Sequence, residues 1–268
     1  MKAPGATFGM LTFRKSESAV DFHKERLEIL GYTILRDVVG ADQVAKIRSG
    51  MDAAYARHEA TMGREQLAEI KELDVLRGPL VSDDQFLALA TTPAVLNLVR
   101  EVVGDYIVLN QQNCVINRPQ TGHHQTSWHR DLPYQNFVIS RPLAISALFC
   151  IDDFTLETGG TVLVPYTHRM EILPSPQFLE EHHVIAEAKA GSVLVFDSML
   201  LHRAGENRSR QVRRAVNHVY TVPILRQQID LPRALNGRHA DDPALRRLLG
   251  YDAETPASVG DWLSRRHK

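Results

Sequence analysis

Apolar side chains in the first hundred residues recur every three or four positions, the spacing that gathers them on one side of an α-helix. Val20, Leu27 and Leu30 do this within residues 19–30, a segment that stops at Gly31. Val44, Ile47, Met51 and Tyr55 do it within residues 41–58. Between them, residues 32–39 (YTILRDVV) are a β-branched run that predicts a strand. Glu65 to Leu76 predicts a further, more polar helix. Thr92-Pro93 is a start signal, an N-capping hydroxyl followed by proline at the first helical position. Leu96, Leu98, Val99 and Val102 then carry a helix to Gly104.

From Tyr106 the pattern changes. Runs at residues 106–117, 143–151, 161–164, 192–197 and 213–222 are short, β-rich and separated by Gly, Pro and Asn turns. Helices precede strands instead of alternating with them. The expected class is therefore mainly β with flanking helices (α+β), with an antiparallel core of sandwich or jelly-roll type. Helical pieces return after Pro223, at residues 243–249 and 257–266. No repeat or low-complexity linker divides the chain. A single domain over residues 1–268 is expected, with a helical third (1–105), a β core (106–222) and a helical tail (223–268).

Composition narrows the partners. At 268 residues, 44% hydrophobic and 24% charged, the chain can bury a core without covalent staples. A formal net charge of −1 supplies no bulk attraction to nucleic acid or an anionic membrane, so neither is expected as a partner. No run approaches the roughly 18 apolar residues of a membrane span. Arg14 and Lys15 follow the apolar N-terminal residues, the reverse of a secretory signal. Two cysteines, Cys114 and Cys150, make no disulfide framework, and a cytoplasmic location is expected.

Twelve histidines are the unusual feature, and one of them sits in Thr126-Ser-Trp-His-Arg-Asp-Leu132. In a strand, positions i and i+2 share a face, so His129 and Asp131 would aim an imidazole and a carboxylate at one point. One more histidine would complete two histidines and a carboxylate, the ligand set of non-haem Fe(II) oxygenases. By itself the motif reads equally as a surface histidine hydrogen-bonded to its neighbour.

A second segment, Gly191-Ser-Val-Leu-Val-Phe-Asp through His202 to Arg213-Arg214, changes the picture. His129-x-Asp131, the distal His202 and Arg213 eleven residues beyond it stand in the order of a known family. Val115-Ile-Asn-Arg-Pro119, the Gly-rich stretch Glu157–Arg169 and the strand Gly31–Gly40 fit the same order. In these elements the chain resembles the phytanoyl-CoA dioxygenase-like family of Fe(II)/2-oxoglutarate oxygenases over about residues 20 to 222, the tail after Pro223 excluded.

The resemblance implies a double-stranded β-helix, or jelly roll, with Fe(2+), 2-oxoglutarate and O2 as cofactors and co-substrates. His129, Asp131 and His202 would be the metal ligands, and the iron centre itself the catalytic group, with no separate acid or base. Arg213 would grip the distal carboxylate of 2-oxoglutarate; Arg214, on the other strand face, is the alternative. Asn117, Asn113 and Ser127 are further candidates for 2-oxoglutarate, and Gln111, of the same parity, for substrate; the amides serve equally well as strand-edge and turn bonds. Tyr134 and Phe137 follow the metal motif and are candidates for a substrate lid or for ordinary packing. Some members of the family carry a serine two residues after the distal histidine, where this chain has Ala204. His168 and His218 read as structural, His182 and His183 as exposed, and His123 and His124 as facing substrate or solvent. The expected reaction is oxidation, by hydroxylation, of a small-molecule metabolite with release of succinate and CO2. The competing readings are a zinc hydrolase using the same ligands and a non-catalytic binding protein.

Overall fold

The computed structural model describes residues 13–120, 124–133 and 135–267. Ser18 accepts a hydrogen bond from the Asp21 amide at 3.1 Å and opens α1 (Ala19–Leu30), which Gly31 closes at φ 84°. That glycine is also sterically required, because a Cβ there would lie 2.5 Å from Nδ1 of His168. There follow β1 (Tyr32–Leu35), α2 (Ala41–Met62), α3 (Arg64–Glu69), β2 (Val75–Arg77), α4 (Gln85–Ala90), α5 (Pro93–Val103) and β3 (Val108–Asn117). The central part holds β4 (Ala144–Cys150), β5 (Thr161–Leu163), α6 (Pro176–His182), β6 (Val184–Ala186), β7 (Val193–Asp197), β8 (His202–Arg203) and β9 (Arg213–Thr221). The tail carries α7 (Leu231–Leu235), α8 (Pro243–Leu248) and α9 (Val259–Ser264).

Two antiparallel sheets form. The larger has the order β1-β7-β4-β9-β3-β2, the smaller β6-β5-β8. A backbone bridge between His129 and His202 adds the metal-motif segment to the free side of β8. This is the jelly-roll core with flanking helices that the resemblance implies. Two expectations are corrected. The strand expected over 32–39 ends at Leu35. The helix expected over 65–76 ends at Glu69, and Val75–Arg77 becomes the edge strand of the large sheet. The reversal occurs where Lys71 and Asp74 take positive φ, 60° and 62°, which a helix cannot accommodate. Thr92 precedes α5 as expected, but its hydroxyl donates back to the Leu89 carbonyl at 2.8 Å instead of capping the helix.

The large sheet is buried on both faces. One face packs beneath the helices through Ile47, Met51, Phe86, Val99, Val216 and Tyr220, and Leu231 and Leu249 of the tail join the same cluster. The other looks toward the small sheet through Leu148, Phe154, Leu163, Leu194, Phe196 and Ala215. Each such large side chain contributes about 1.5–3 kcal/mol on burial. A cavity opens on this second face, and the site lies there.

Candidate functional site

A cavity of about 910 Å³ is lined by His129, Asp131 and His202, by Arg213, and by polar residues of β3 and β9. His129 and His202 exchange backbone hydrogen bonds of 2.9 and 3.0 Å, which sets their imidazoles side by side with centroids 4.3 Å apart. Asp131 lies outside the regular strands; its amide bonds the Ser198 carbonyl at 3.0 Å and so holds the carboxylate beside the histidines. One ligand-type atom from each of the three residues lies within 4.8 Å of the other two.

The hydrogen bonds around the triad leave one free ligand atom on each side chain. Nδ1 of His129 meets the Ser127 carbonyl at 2.9 Å, and Nδ1 of His202 meets the Leu200 carbonyl at 3.0 Å. Each Nδ1 therefore carries the proton, and each Nε2 keeps its lone pair. Oδ2 of Asp131 accepts from the Ser146 hydroxyl at 2.6 Å and from the Asn217 amide at 3.1 Å. Its Oδ1 stands 3.6 Å from Nε2 of His202. Burial pushes the Asp131 pKa upward, but His202, His129, Ser146 and Asn217 overcome it and hold the carboxyl below its ordinary value. Burial also keeps His202 below the usual histidine range, hence neutral and able to ligate. Two imidazole Nε2 atoms and one carboxylate oxygen converge, a donor set suited to Fe(II) with open positions opposite.

Arg213 opens β9 and is 2% exposed. One Nη donates to the Gly159 carbonyl at 2.8 Å, the guanidinium lies 4.6 Å from the Phe154 ring centroid, and Nε has no partner. Among the described residues it has no ion pair, and burial lowers its pKa to about 10. A buried cation without a counter-anion is costly, and a bound carboxylate removes that cost. Gly159 is placed by a close approach to the 205 loop: it takes φ 74°, and a Cβ on it would sit 2.5 Å from the Gly205 carbonyl. Arg214 faces the other way and is bound at 2.8 Å to Asp52 and 2.9 Å to Asp152, so the structure gives it a structural place.

The remaining candidates divide. Asn113, Ser127, Gln111 and the half-exposed Phe137 all line the cavity. Asn117 does not. It stands opposite Arg213 at the end of β3, where its amide donates to the Gly205 carbonyl at 2.9 Å beside Gly159. Tyr134 and His123 lie outside the described residues. His168 is buried, meets the Glu28 carbonyl at 3.3 Å and is pushed to about 4 by burial; His218 bonds Gln112 at 2.7 Å in the core. His182 is exposed, whereas His183 is partly buried with its ring 6.4 Å from that of Trp128.

Sequence reasoning missed Asn217 and Ser146, which share Oδ2 of Asp131. Asn217 has the strand parity of Arg213 and was findable by that rule. Ser146 was not, because only the pairing of Ser146 with Phe196 in β7 brings β4 beside Ser198, whose hydroxyl is 2.8 Å from that of Ser146.

This donor set on a jelly roll is that of the Fe(II)/2-oxoglutarate-dependent dioxygenases, and the relatives place the protein in that enzyme class. The chain belongs to the phytanoyl-CoA dioxygenase (PhyH) family, whose profile matches residues 28–215. It is 32% identical to uncharacterized protein Rv1501 of Mycobacterium tuberculosis over 92% of this chain and 93% of that one. It is 28% identical to the dioxygenase olcK of Penicillium canescens, over 82% and 77% of the two chains. Among solved structures it is similar in fold to EctD from S. alaskensis with 2-oxoglutarate and 5-hydroxyectoine (TM-score 0.65, 21% identity, 78% and 79% covered). It is also similar to the epimerase SnoN in complex with Fe3+, alpha ketoglutarate and nogalamycin RO (TM-score 0.60, 19% identity, 76% and 84% covered). Fe(2+), 2-oxoglutarate and O2 are accordingly the cofactors and co-substrates. No helix among the described residues is long and apolar enough to cross a membrane.

Proposed function

We propose that this enzyme hydroxylates a small-molecule metabolite while 2-oxoglutarate is converted to succinate and CO2. His129, His202 and Asp131 would hold the iron, the histidines offering Nε2 and the aspartate the carboxylate oxygen not taken by Ser146 and Asn217. Bound iron and 2-oxoglutarate supply the oxygen activation: one oxygen atom enters succinate and the other enters the substrate. The protein's own residues orient and exclude. Arg213 takes the distal carboxylate of 2-oxoglutarate, its guanidinium already desolvated and braced by Gly159. Asn113 and Ser127 stand along the cavity as further polar partners, and Gln111 and Phe137 as substrate contacts. Asn117, opposite Arg213 in the ladder, stands beside the same carboxylate of 2-oxoglutarate and braces the Gly205 loop through its amide.

The observation that carries the reading is Arg213, a buried, unpaired cation opening on the same cavity as the triad. The test is Fe(II)- and O2-dependent conversion of 2-oxoglutarate to succinate by the purified protein, faster when its substrate is present. Hydrolytic turnover supported by zinc without oxygen would overturn the proposal.

A further inference from the structure

Net charge is near zero for the whole chain, yet the cavity is not neutral. Apart from Asp131, its charged lining residues are five arginines, Arg77, Arg130, Arg203, Arg213 and Arg226, and no lysine or glutamate lines it among the described residues. Four of the five are engaged. Arg213 is assigned to 2-oxoglutarate. Arg77 clasps Glu72 with two hydrogen bonds of 2.8 and 2.7 Å. Arg130 donates to the Thr167 and Met170 carbonyls. Arg203 lies over the Trp128 ring at 4.8 Å with Glu180 3.6 Å away. Arg226 is exposed at the rim and has no ion pair or side-chain hydrogen bond among the described residues.

Its backbone, in contrast, is firmly placed. A bulge in β3 between Leu109 and Gln111 turns Asn110 outward from the ladder. The Asn110 amide donates to the Arg226 carbonyl at 3.0 Å, and the Gln228 amide donates to the Asn110 carbonyl at 3.1 Å. The Gln227 side chain donates to the Leu109 and Leu249 carbonyls at 2.8 and 3.1 Å. Residues 225–228 thus form a fixed wall of the cavity, although they lie beyond the stretch that the family profile matches. Arg77 joins β3 opposite Asn113, three residues from Asn110, or roughly 10 Å along the strand. Asn113 pairs in turn with Asn217, whose amide holds Asp131. A polar row therefore runs from the metal carboxylate to the arginine-bearing mouth.

We infer that the substrate carries an anionic group, a carboxylate or a phosphate, and that Arg226 recognises it at the outer end of the cavity. The inference rests on the oxygenase reading above for the word substrate, but its electrostatic basis does not. An unpaired guanidinium on a fixed wall, above a cavity with cationic lining, attracts anions at long range and pairs with them in a fork on arrival. A neutral or cationic molecule of the same shape gains neither.

The experiment uses the full-length protein and small metabolites in matched pairs. Each carboxylic acid is paired with its methyl ester, and each phosphate monoester with its free alcohol, so the two arms separate carboxylate from phosphate. Binding is read as the rise in melting temperature without iron or oxygen, and turnover as ligand-triggered succinate release. The acids or phosphates of at least some pairs are expected to bind at least about tenfold more tightly than their neutral partners. Arg226→Ala should erase that ratio, Arg226→Lys should restore most of it, and Arg226→Glu should reverse it. Arg233→Ala, an exposed arginine on α7, is the control. Neutral partners binding as well as the anions, or an undiminished ratio in Arg226→Ala, would overturn the inference. Anion selectivity in binding without any succinate release would uphold it and count against the oxygenase reading alone.

Discussion

On the face of β9 that looks into the cavity stand Arg213, Ala215 and Asn217; on the face beneath the helices stand Arg214, Val216, His218 and Tyr220. The two faces use the same kinds of residue in opposite ways. Arg214 has two carboxylates, Asp52 and Asp152, whereas the adjacent Arg213 is more deeply buried and has none. His218 spends its Nε2 on Gln112, which also donates to the Phe86 carbonyl at 2.8 Å and accepts from the Leu80 amide at 2.9 Å. His202, equally buried, spends Nδ1 on a carbonyl and keeps Nε2 open. Most buried polar groups find a partner; Nδ1 of His218 and Nε of Arg213 both lack one, but only Arg213 lines the cavity. What separates the site from the scaffold is that its open atoms face the cavity, not residue type or burial.

The hardest break in this comparison is at the triad. Asp131→Ala removes the only carboxylate in the cavity lining among the described residues, and succinate formation is expected to fall by at least about a hundredfold, more than the usual loss from disturbing a residue behind a ligand. The same carboxylate bears on the outcome of the reaction. A halide needs a coordination position that an anionic ligand already fills, so product mass spectra recorded in chloride or bromide should show oxygen added and no halogen. A halogenated main product from the wild type would remove Asp131 from the role given to it.

The two arginines come next. Arg213→Ala should weaken 2-oxoglutarate binding by about 1.5–3 kcal/mol, roughly ten- to a hundredfold, while iron affinity changes much less. Arg214→Ala should leave 2-oxoglutarate affinity within about 0.5 kcal/mol. It should instead cost about 1 kcal/mol of stability, since its ion pairs are partly solvent-screened. Titration of both variants with 2-oxoglutarate, alongside their denaturant midpoints, checks the pair together. The larger binding loss in Arg214→Ala would mean that the faces of β9 have been assigned the wrong way round.

A smaller effect is expected one bond further out. Ser146 donates to Oδ2 of Asp131 and contacts Ser198, so Ser146→Ala leaves the ligand atoms in place but loosens the carboxylate. Iron affinity and activity should drop by about tenfold, the low end of what such supporting residues cost. An unchanged iron dissociation constant would show that Asn217 alone suffices to orient Asp131.

Much of this was legible in the chain itself, and the reasons differ from residue to residue. Strict strand parity put Arg213 and Arg214 on opposite faces, and the spacing of the family that the chain resembles favoured Arg213. The helices at 19–30 and 93–103 could be read because Gly31 and Pro93 punctuate them. The end of the helix at Glu69 could not, since Val75 and Leu76 turn into a strand only by pairing with Cys114 and Val115, nearly forty residues away. Asn117 stands directly opposite Arg213 in the β3–β9 ladder, and parity could place it on that face but could not show that its amide bonds the Gly205 carbonyl. Residues 225–228 were invisible as lining because nothing local marks them; the bulge in β3 and Asn110 place them.

The gentlest test compares the histidines of the two faces through pH. Burial pushes His218 to about 3, far below its unfolded value near 6.5. Below pH 6.5 the unfolded chain takes up a proton that the folded protein refuses, so the stability due to the neutral imidazole is complete above that pH and is lost as pH falls toward 3. His168, pushed to about 4, acts in the same direction. Asp197 opposes them: burial raises it to about 6, so its contribution is lost as pH rises between about 4 and 6. His218 and His168, joined by His202 at about 4, outweigh the one carboxylate and leave a net loss of stability on acidification across that window. His218→Gln keeps an acceptor for Gln112 while removing the proton site, and should cost some stability at pH 7.5. It should also flatten the decline by up to about 1.4 kcal/mol per pH unit. Denaturant unfolding of both proteins at pH 7.5, 6.0 and 5.0 reads the slope directly. Parallel slopes for wild type and variant would mean that His218 is protonated in the fold, and that its place on the helix-side face of β9 does not hold it neutral.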